Sequence, residues 1–186
     1  MNRMDQVTVV MYHYVRPIAD SKYPKIKGLE FNEFLGQLDY IQDNYNFITG
    51  KQLISAKQGN AVLPQNPILL TFDDGYVDHF KYVTPELCKR GVSGLFFPPS
   101  SAVEERRILD VNKIHLILAI APDLSRIVAQ IDGFILGSDN NSLETLSYYR
   151  SKFLVPNRYD SQEINYIKRM LQQGLPLSLR KPLLDE

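Results

Sequence analysis

The segment from Leu69 to Tyr76 reads Leu-Leu-Thr-Phe-Asp-Asp-Gly-Tyr, and it constrains the fold more than any other part of the chain. The apolar run from Ile68 to Phe72 indicates a strand that is buried on both faces, as is typical of a parallel sheet. Gly75 allows the backbone to turn sharply where that strand ends. Asp73 and Asp74 are therefore predicted to project from a rigid strand end into a cleft, with side chains that point in different directions.

Two adjacent carboxylates indicate either a metal site or a solvated turn. When both are ionised they repel each other, and a bound divalent cation relieves the repulsion while it uses one of them as a ligand. The other carboxylate is then free to act as a base. For a bare Asp-Asp-Gly sequence, the solvated Asp-Gly turn is favoured by about two to one.

Predicted strands alternate with predicted helices over the first hundred residues. One helix carries an apolar stripe from Phe31 to Ile41. Another is expected to kink or restart at Pro85 and to stop at Gly91. This alternation predicts parallel βαβ units with right-handed crossovers. The predicted strands are residues 7–12, 46–49, 68–72 and 92–97, and the predicted helices are residues 31–41, 52–57 and 77–90.

The carboxyl ends of parallel strands meet at one edge of a sheet, where ligands collect. His13, Asp73 and Asp74 all lie at predicted strand ends, so we expect them on the same rim. His13 could bind a substrate or support a ligand, and a histidine satisfied by a neighbouring carbonyl group is an equally weighted alternative. His79 is expected to be solvated or to cap a helix, and His115 to pack within a helix.

Helical periodicity dominates after residue 101. The sequence therefore predicts an α/β half at residues 1–101, which carries the Asp-Asp motif, and a mostly helical insertion or extension at residues 102–186. Aromatic residues of the helical part could line a sugar-stacking surface, but a place in the helix core is the commoner role, by about three to one. The predicted caps are Asp110, Asp123, Ser142, and Asp160 or Ser161.

Three blocks in order carry a resemblance to a known family. They are Met11-Tyr12-His13-Tyr14-Val15, Leu70-Thr71-Phe72-Asp73-Asp74-Gly75-Tyr76 and Gly91-Val92-Ser93-Gly94-Leu95-Phe96-Phe97. Together they resemble the opening half of the polysaccharide deacetylases, known as the NodB homology domain or carbohydrate esterase family 4. The resemblance covers about the first hundred residues. It implies an α/β fold, namely an incomplete or distorted (β/α) barrel of the NodB type with a helical C-terminal segment.

The resemblance also implies an activity and a set of roles. The family contains metal-dependent hydrolases that act on carbon-nitrogen bonds other than peptide bonds and remove N-acetyl groups from amino sugars in poly- or oligosaccharides. The first aspartate of the family motif is the general base and the second binds the metal, which carries over to Asp73 and Asp74. His13 and Tyr76 are expected to bind substrate or to support these side chains. The expected cofactor is a divalent metal, with zinc as the first choice.

The chain departs from the family pattern in its histidines. The family completes its metal site with two histidines four residues apart on a later segment, and none of the three histidines here has that spacing. One carboxylate cannot hold a zinc-type ion tightly, because such a site takes three protein ligands. We therefore expect the sequence to be the truncated front portion of a longer protein, with the histidine pair downstream of Glu186.

Two alternatives remain open at this point. The chain could be a non-catalytic carbohydrate-binding or scaffold module that keeps the deacetylase fold without its site. It could also be another amidohydrolase-like enzyme on a (β/α) barrel, since a fold by itself does not define an activity.

Charge and hydropathy limit the expected partners. The 21 basic residues balance the 21 acidic ones, and no basic cluster with interleaved aromatics is present, which argues against nucleic-acid binding. The apolar run from Val7 to Tyr12 is too short for a signal-peptide core or a membrane span. The absence of an export signal indicates either a cytoplasmic protein, which is our expectation, or an altered start. The partner that the family resemblance implies is a carbohydrate that contains an N-acetylated amino sugar.

Overall fold

The structure is a computed structural model that describes residues 6–137 and 142–185. The chain divides into two compact units between Arg107 and Ile108. Each unit has its own cluster of buried apolar side chains. The assignment of residues 1–101 to a deacetylase-like half and of residues 102–186 to an insertion or extension stays a prediction.

The first unit is built on parallel strands. Those in the described residues are β1 (Thr8–Tyr12), β2 (Val15–Arg16), β3 (Leu29–Glu30), β4 (Asn46–Phe47), β5 (Pro67–Asp73) and β6 (Gly94–Phe97). β1, β4 and β6 all pair with β5, which makes β5 the centre of a four-stranded sheet. β1 follows β5 along most of its length, whereas β4 pairs with its start and β6 with its end. β2 and β3 form a separate parallel pair.

The helices of this unit follow the predicted order, with one change before Pro85. They are α1 (Phe31–Asn44), α2 (Gly50–Lys57), α3 (Thr84–Arg90) and α4 (Ser100–Glu104). A π-helical turn, His79–Val83, precedes α3. Pro85 lies in the first turn of α3, where no hydrogen bond within α3 requires its N–H. Gly91 ends α3 in the left-handed conformation at φ +66°, so the predicted stop is confirmed. The predicted kink or restart at Pro85 corresponds to the change from the π-helical turn to α3.

One face of the sheet forms the core of the first unit. Strand alternation places Leu70 and Phe72 on this face, together with Tyr12 of β1, against Phe34 and Leu38 of α1. All five side chains are buried. The predicted buried strand is thus confirmed, and the two aspartates follow directly from its packed end.

The opposite face of the sheet carries exposed apolar side chains. Val9 is 53% exposed, Met11 is 61% exposed and Phe97 is 54% exposed. Asp73 lies on this face, because it alternates with the buried Phe72 and pairs in register with Phe97. The described strands form a parallel sheet in a mixed α/β architecture and do not close into a barrel.

The second unit is helical. Its helices are α5 (Asp110–Ile120), α6 (Leu124–Leu136), α7 (Ser142–Phe153), α8 (Gln162–Arg169) and α9 (Leu177–Asp185), with a π-helical turn at Met170–Gly174. Asp123 and Ser161 cap α6 and α8 as predicted. The prediction for Asp110 is wrong, because Leu109 holds the extended conformation of the cap and Asp110 is already helical.

The aromatic residues of the second unit divide between core and surface. Tyr166 is fully buried and donates a 2.6 Å hydrogen bond to Oδ1 of Asp132, whose Oδ2 accepts from Arg150 at 2.8 Å. Tyr148 and Tyr159 are exposed. Within the described residues, no helix has the length and the apolar character that a membrane crossing requires.

Candidate functional site

The candidate site lies where β1 and β5 end side by side. Asp73 is the last residue of β5, and Asp74 follows it, while His13 follows β1. Because β1 and β5 are parallel, with Tyr12 opposite Phe72, these ends fall on the same rim. The structure therefore brings His13 and Asp73 together, as the sequence led us to expect.

Asp73 presents an open carboxylate to the rim. Its side chain is 29% exposed, and Nε2 of His13, itself 45% exposed, lies 3.9 Å from its Oδ2. No shorter polar contact to this carboxylate occurs among the described residues. A carboxylate with free oxygens can accept a hydrogen bond from a water molecule or a substrate.

Asp74 has a different environment from its neighbour. Its backbone is left-handed at φ +69°, a conformation that is uncommon for residues other than glycine and that aspartate tolerates better than most. Its Oδ2 accepts a 2.5 Å hydrogen bond from the hydroxyl of Tyr76. The two aspartates are thus adjacent in sequence but distinct in conformation and in hydrogen bonding.

Tyr76 is held by a stack that fixes its hydroxyl. Its ring stacks on the ring of Tyr14, with centroids 4.0 Å apart. The guanidinium of Arg16 lies 5.2 Å from the centroid of the Tyr14 ring. Burial, and then the hydrogen bond to Asp74, raise the pKa of Tyr76. At neutral pH the phenol therefore stays protonated and remains a donor to Asp74.

Gly75 completes the turn, and two features require a glycine there. It is left-handed at φ +61°, and a Cβ atom on it would lie 2.7 Å from Cβ and 3.0 Å from Cα of Pro98. The residue after β6 therefore packs directly on the turn that carries the aspartates.

Replacing Gly75 by alanine should destabilise the fold more than the same change at Gly91. Both glycines are left-handed, and this alone costs an alanine about 1–2 kcal/mol. A Cβ on Gly91 would meet no atom within 4 Å, whereas at Gly75 it collides with Pro98, which adds about 1–3 kcal/mol. Urea unfolding of Gly75→Ala and Gly91→Ala measures the difference. Equal losses would show that Pro98 does not pack on the turn.

His79 lies beneath the rim rather than in solvent. It is 3% exposed, so the expectation of a solvated or capping histidine is wrong. Its Nε2 lies 2.7 Å from the carbonyl oxygen of His13. Burial lowers the pKa of His79, and the hydrogen bond to His13 opposes that shift only in part.

The buried His79 makes stability depend on pH in one direction. A histidine whose pKa is lowered by folding binds a proton more readily in the unfolded chain, so its contribution is complete above about pH 6.5 and is lost as the pH falls below that value. We expect the free energy of unfolding to fall on acidification and to fall less in His79→Gln. Urea unfolding at about pH 7.5 and 5.5 tests this. If the free energy of unfolding falls equally in the wild type and in His79→Gln, His79 is not the source of the pH dependence.

The described residues do not by themselves form a complete metal site. Within residues 6–137 and 142–185, no group of three histidine, cysteine, aspartate or glutamate side chains is placed to hold an ion. Asp74 offers one carboxylate, one oxygen of which already accepts from Tyr76. A zinc-type site takes three protein ligands, so this donor set is insufficient without further residues.

The sequence analysis did not identify two structural features near the site, the ion pair of Asp78 and the burial of His79. Asp78 is buried and accepts a 2.7 Å hydrogen bond from Nε of Arg16, which ties the start of the π-helical turn to β2. His79 shares a helical stripe with Val83 and Leu87 at a spacing of four, and this spacing could have indicated its burial. The ion pair has no such local signal, because its partners are 62 residues apart.

Comparison with known proteins supports the resemblance drawn from the three sequence blocks. No protein-family model matches the chain. The chain is 28% identical over 98 residues to YxkH of Bacillus subtilis (strain 168), which is named provisionally as a polysaccharide deacetylase. The match covers 50% of this chain and 31% of YxkH, so the chain spans less than a third of the length of that relative. The resemblance to polysaccharide deacetylases is confirmed.

Solved structures of deacetylases also match the chain. A de-N-acetylase from Aggregatibacter actinomycetemcomitans is 28% identical with a TM-score of 0.46, and the match covers 53% of this chain and 39% of that one. The deacetylase PplD of Streptococcus pyogenes is 16% identical with a TM-score of 0.45, over 88% of this chain and 80% of that one. At TM-scores below 0.5, these superpositions do not establish a shared fold.

Proposed function

We propose that the chain is part of a metal-dependent polysaccharide deacetylase that hydrolyses N-acetyl groups of amino sugars in poly- or oligosaccharides. The α/β half would then be an incomplete (β/α) barrel of the NodB type. The observation that carries the proposal is the pair of neighbouring carboxylates with different surroundings at the end of β5. The two carboxylates have different contacts. In addition, half of this chain aligns with a relative that is named as a deacetylase.

Asp73 is the proposed general base. Amide hydrolysis needs a group that takes a proton from the attacking water, and a carboxylate within hydrogen-bond reach of that water can do so. Asp73 has open oxygens and is part-exposed at the rim. Asp74 is less suited to this task, because Tyr76 already donates to it and the turn restricts its backbone.

His13 is proposed to assist at the same rim. Its imidazole is 45% exposed, with Nε2 3.9 Å from the carboxylate of Asp73, and a sugar bound at the rim would reach both groups. An imidazole can donate or accept a hydrogen bond, and this suits it to orient a polar substrate beside the base.

Asp74 is proposed to supply one ligand of a divalent metal, with zinc as the first ion to test. Tyr76 would keep its carboxylate in one orientation, as partners of metal ligands commonly do. The remaining ligands are proposed to come from strands outside the described residues. On the face that carries Asp73, the side chains of the flanking strands, Val9, Met11 and Phe97, are exposed. This supports the proposal, because parallel sheets are normally covered on both faces.

Metal content and deacetylase activity test the proposal directly. The 186-residue chain should be compared with a version extended to the length of YxkH, each with an N-acetylated glucosamine oligosaccharide as substrate. We expect about one metal ion per chain and activity only in the extended version, because the described residues supply too few ligands. Asp74→Asn should lose the metal, whereas Asp43→Asn, a control on the exposed side of α1, should keep it. An extended protein that binds no metal and turns over no substrate would refute the proposal.

A further inference from the structure

His79 is a buried polar side chain to which the proposed chemistry gives no task. Its Nε2 lies 2.7 Å from the carbonyl oxygen of His13, and a carbonyl oxygen can only accept, so Nε2 carries the hydrogen and donates. In the neutral ring, Nδ1 then has no hydrogen. Nδ1 is buried and has no hydrogen-bond partner among the described residues.

The imidazole of His79 contacts the ends of the strands that form the rim. The ring centroids of Phe72 in β5, Tyr76 in the turn and Phe96 in β6 lie 5.5, 5.6 and 5.9 Å from its own. The hydrogen bond from its Nε2 reaches His13, the residue that follows β1. One side chain therefore links the ends of β1, β5 and β6 directly beneath the aspartates.

A second contact, besides this hydrogen bond, anchors the element that carries His79. Asp78, the preceding residue, is held by Arg16 of β2. His79 itself begins the π-helical turn, a rare geometry that is frequent at functional sites. A donor on such a support can hold His13, the exposed residue that follows β1.

A space-filling role alone does not explain a histidine here. An apolar side chain of similar size would fill the space between three aromatic rings without burying an unpaired nitrogen, which costs stability. We propose that His79 is a positioning residue of the site. Its hydrogen bond holds the main chain of His13 and so keeps the His13 imidazole beside Asp73. This inference rests on the proposed function for its catalytic meaning, but the geometry can be tested without turnover.

Two variants of nearly equal size separate the hydrogen bond from the packing. Gln in His79→Gln keeps a side-chain N–H donor of similar reach, and Met in His79→Met has the same length without a donor. The readout is the change that Asp73→Asn causes in the His13 Cε1–H chemical shift, at a fixed pH of about 8. We expect this response to fall by about half or more in His79→Met and to stay near the wild-type value in His79→Gln.

The comparison has a clear contrary outcome. If both variants are folded and give the same response, retained or lost, the donated hydrogen bond does not position His13 and the inference is overturned. Should His79→Met fail to fold, His79→Phe takes its place, since it keeps the ring volume without the donor. Should that variant fail as well, His79→Gln decides alone, because a folded Gln variant without the response also overturns the inference.

Activity of the extended enzyme separates this inference from the proposed function. His79→Met should lower kcat about tenfold with little change in KM, as loss of a supporting partner does, and His79→Gln should recover most of it. An inactive wild type would refute the proposed function and leave the chemical-shift result to decide the positioning role. An active wild type with equal kcat in both variants would overturn the positioning role alone.

Discussion

Asp73→Asn is expected to lower amide hydrolysis by about 10²–10⁴-fold in the extended enzyme, because it removes the proposed general base. The amide that replaces the carboxylate has nearly the same size and cannot accept the proton of the attacking water. Since Asp73 is part-exposed and accepts no hydrogen bond from the described residues, the substitution should leave the fold unchanged.

The matched comparison is with Asp74→Asn and Asp43→Asn. Asp73→Asn should keep the metal and lose turnover, Asp74→Asn should lose both, and the exposed Asp43→Asn should lose neither. Metal analysis and initial rates on the same preparations give the two readouts. Retained turnover in Asp73→Asn would rule out this residue as the base, and loss of the metal would assign it to the ligands instead.

Phe72→Ala is expected to destabilise the protein by about 3–5 kcal/mol, a large part of the stability of a small domain. Phe72 is fully buried, stacks on Tyr12 and Phe96 at 5.2 and 4.9 Å, and meets the edge of Phe34 at 6.2 Å. The packing leaves no spare space, because a Cβ on Gly94 would lie 2.6 Å from its ring.

Phe80 is the control for this substitution. It is 77% exposed on the π-helical turn, so Phe80→Ala should change stability by no more than about 0.5 kcal/mol. Urea unfolding gives the total effect, and native-state hydrogen exchange of the β1 and β5 amides shows where it acts. A loss below about 1.5 kcal/mol for Phe72→Ala would mean that the aromatic cluster does not form the core of the first unit.

The predictions that held depend on short stretches of sequence. The end of α3 at Gly91 follows from one glycine, and the caps Asp123 and Ser161 follow from a side chain and the backbone two or three residues later. The errors arise where such signals compete or are weak. The cap residue of α5 is Leu109 and not the predicted Asp110. The strands β2 and β3 were not predicted, because two residues are too few to show a periodic pattern.

The site divides in the same way between local and long-range causes. The sequence alone determined that Asp73 and Asp74 stand at the end of a buried strand, because an apolar run followed by Asp-Asp-Gly is a local pattern. Only the tertiary structure decided which groups surround them. The contacts of His13 with Asp73 and with His79 join residues about 60 positions apart, and the parallel pairing of β1 with β5 sets their distances. No spacing along the chain encodes such distances, because they result from the packing of the whole sheet on its helices.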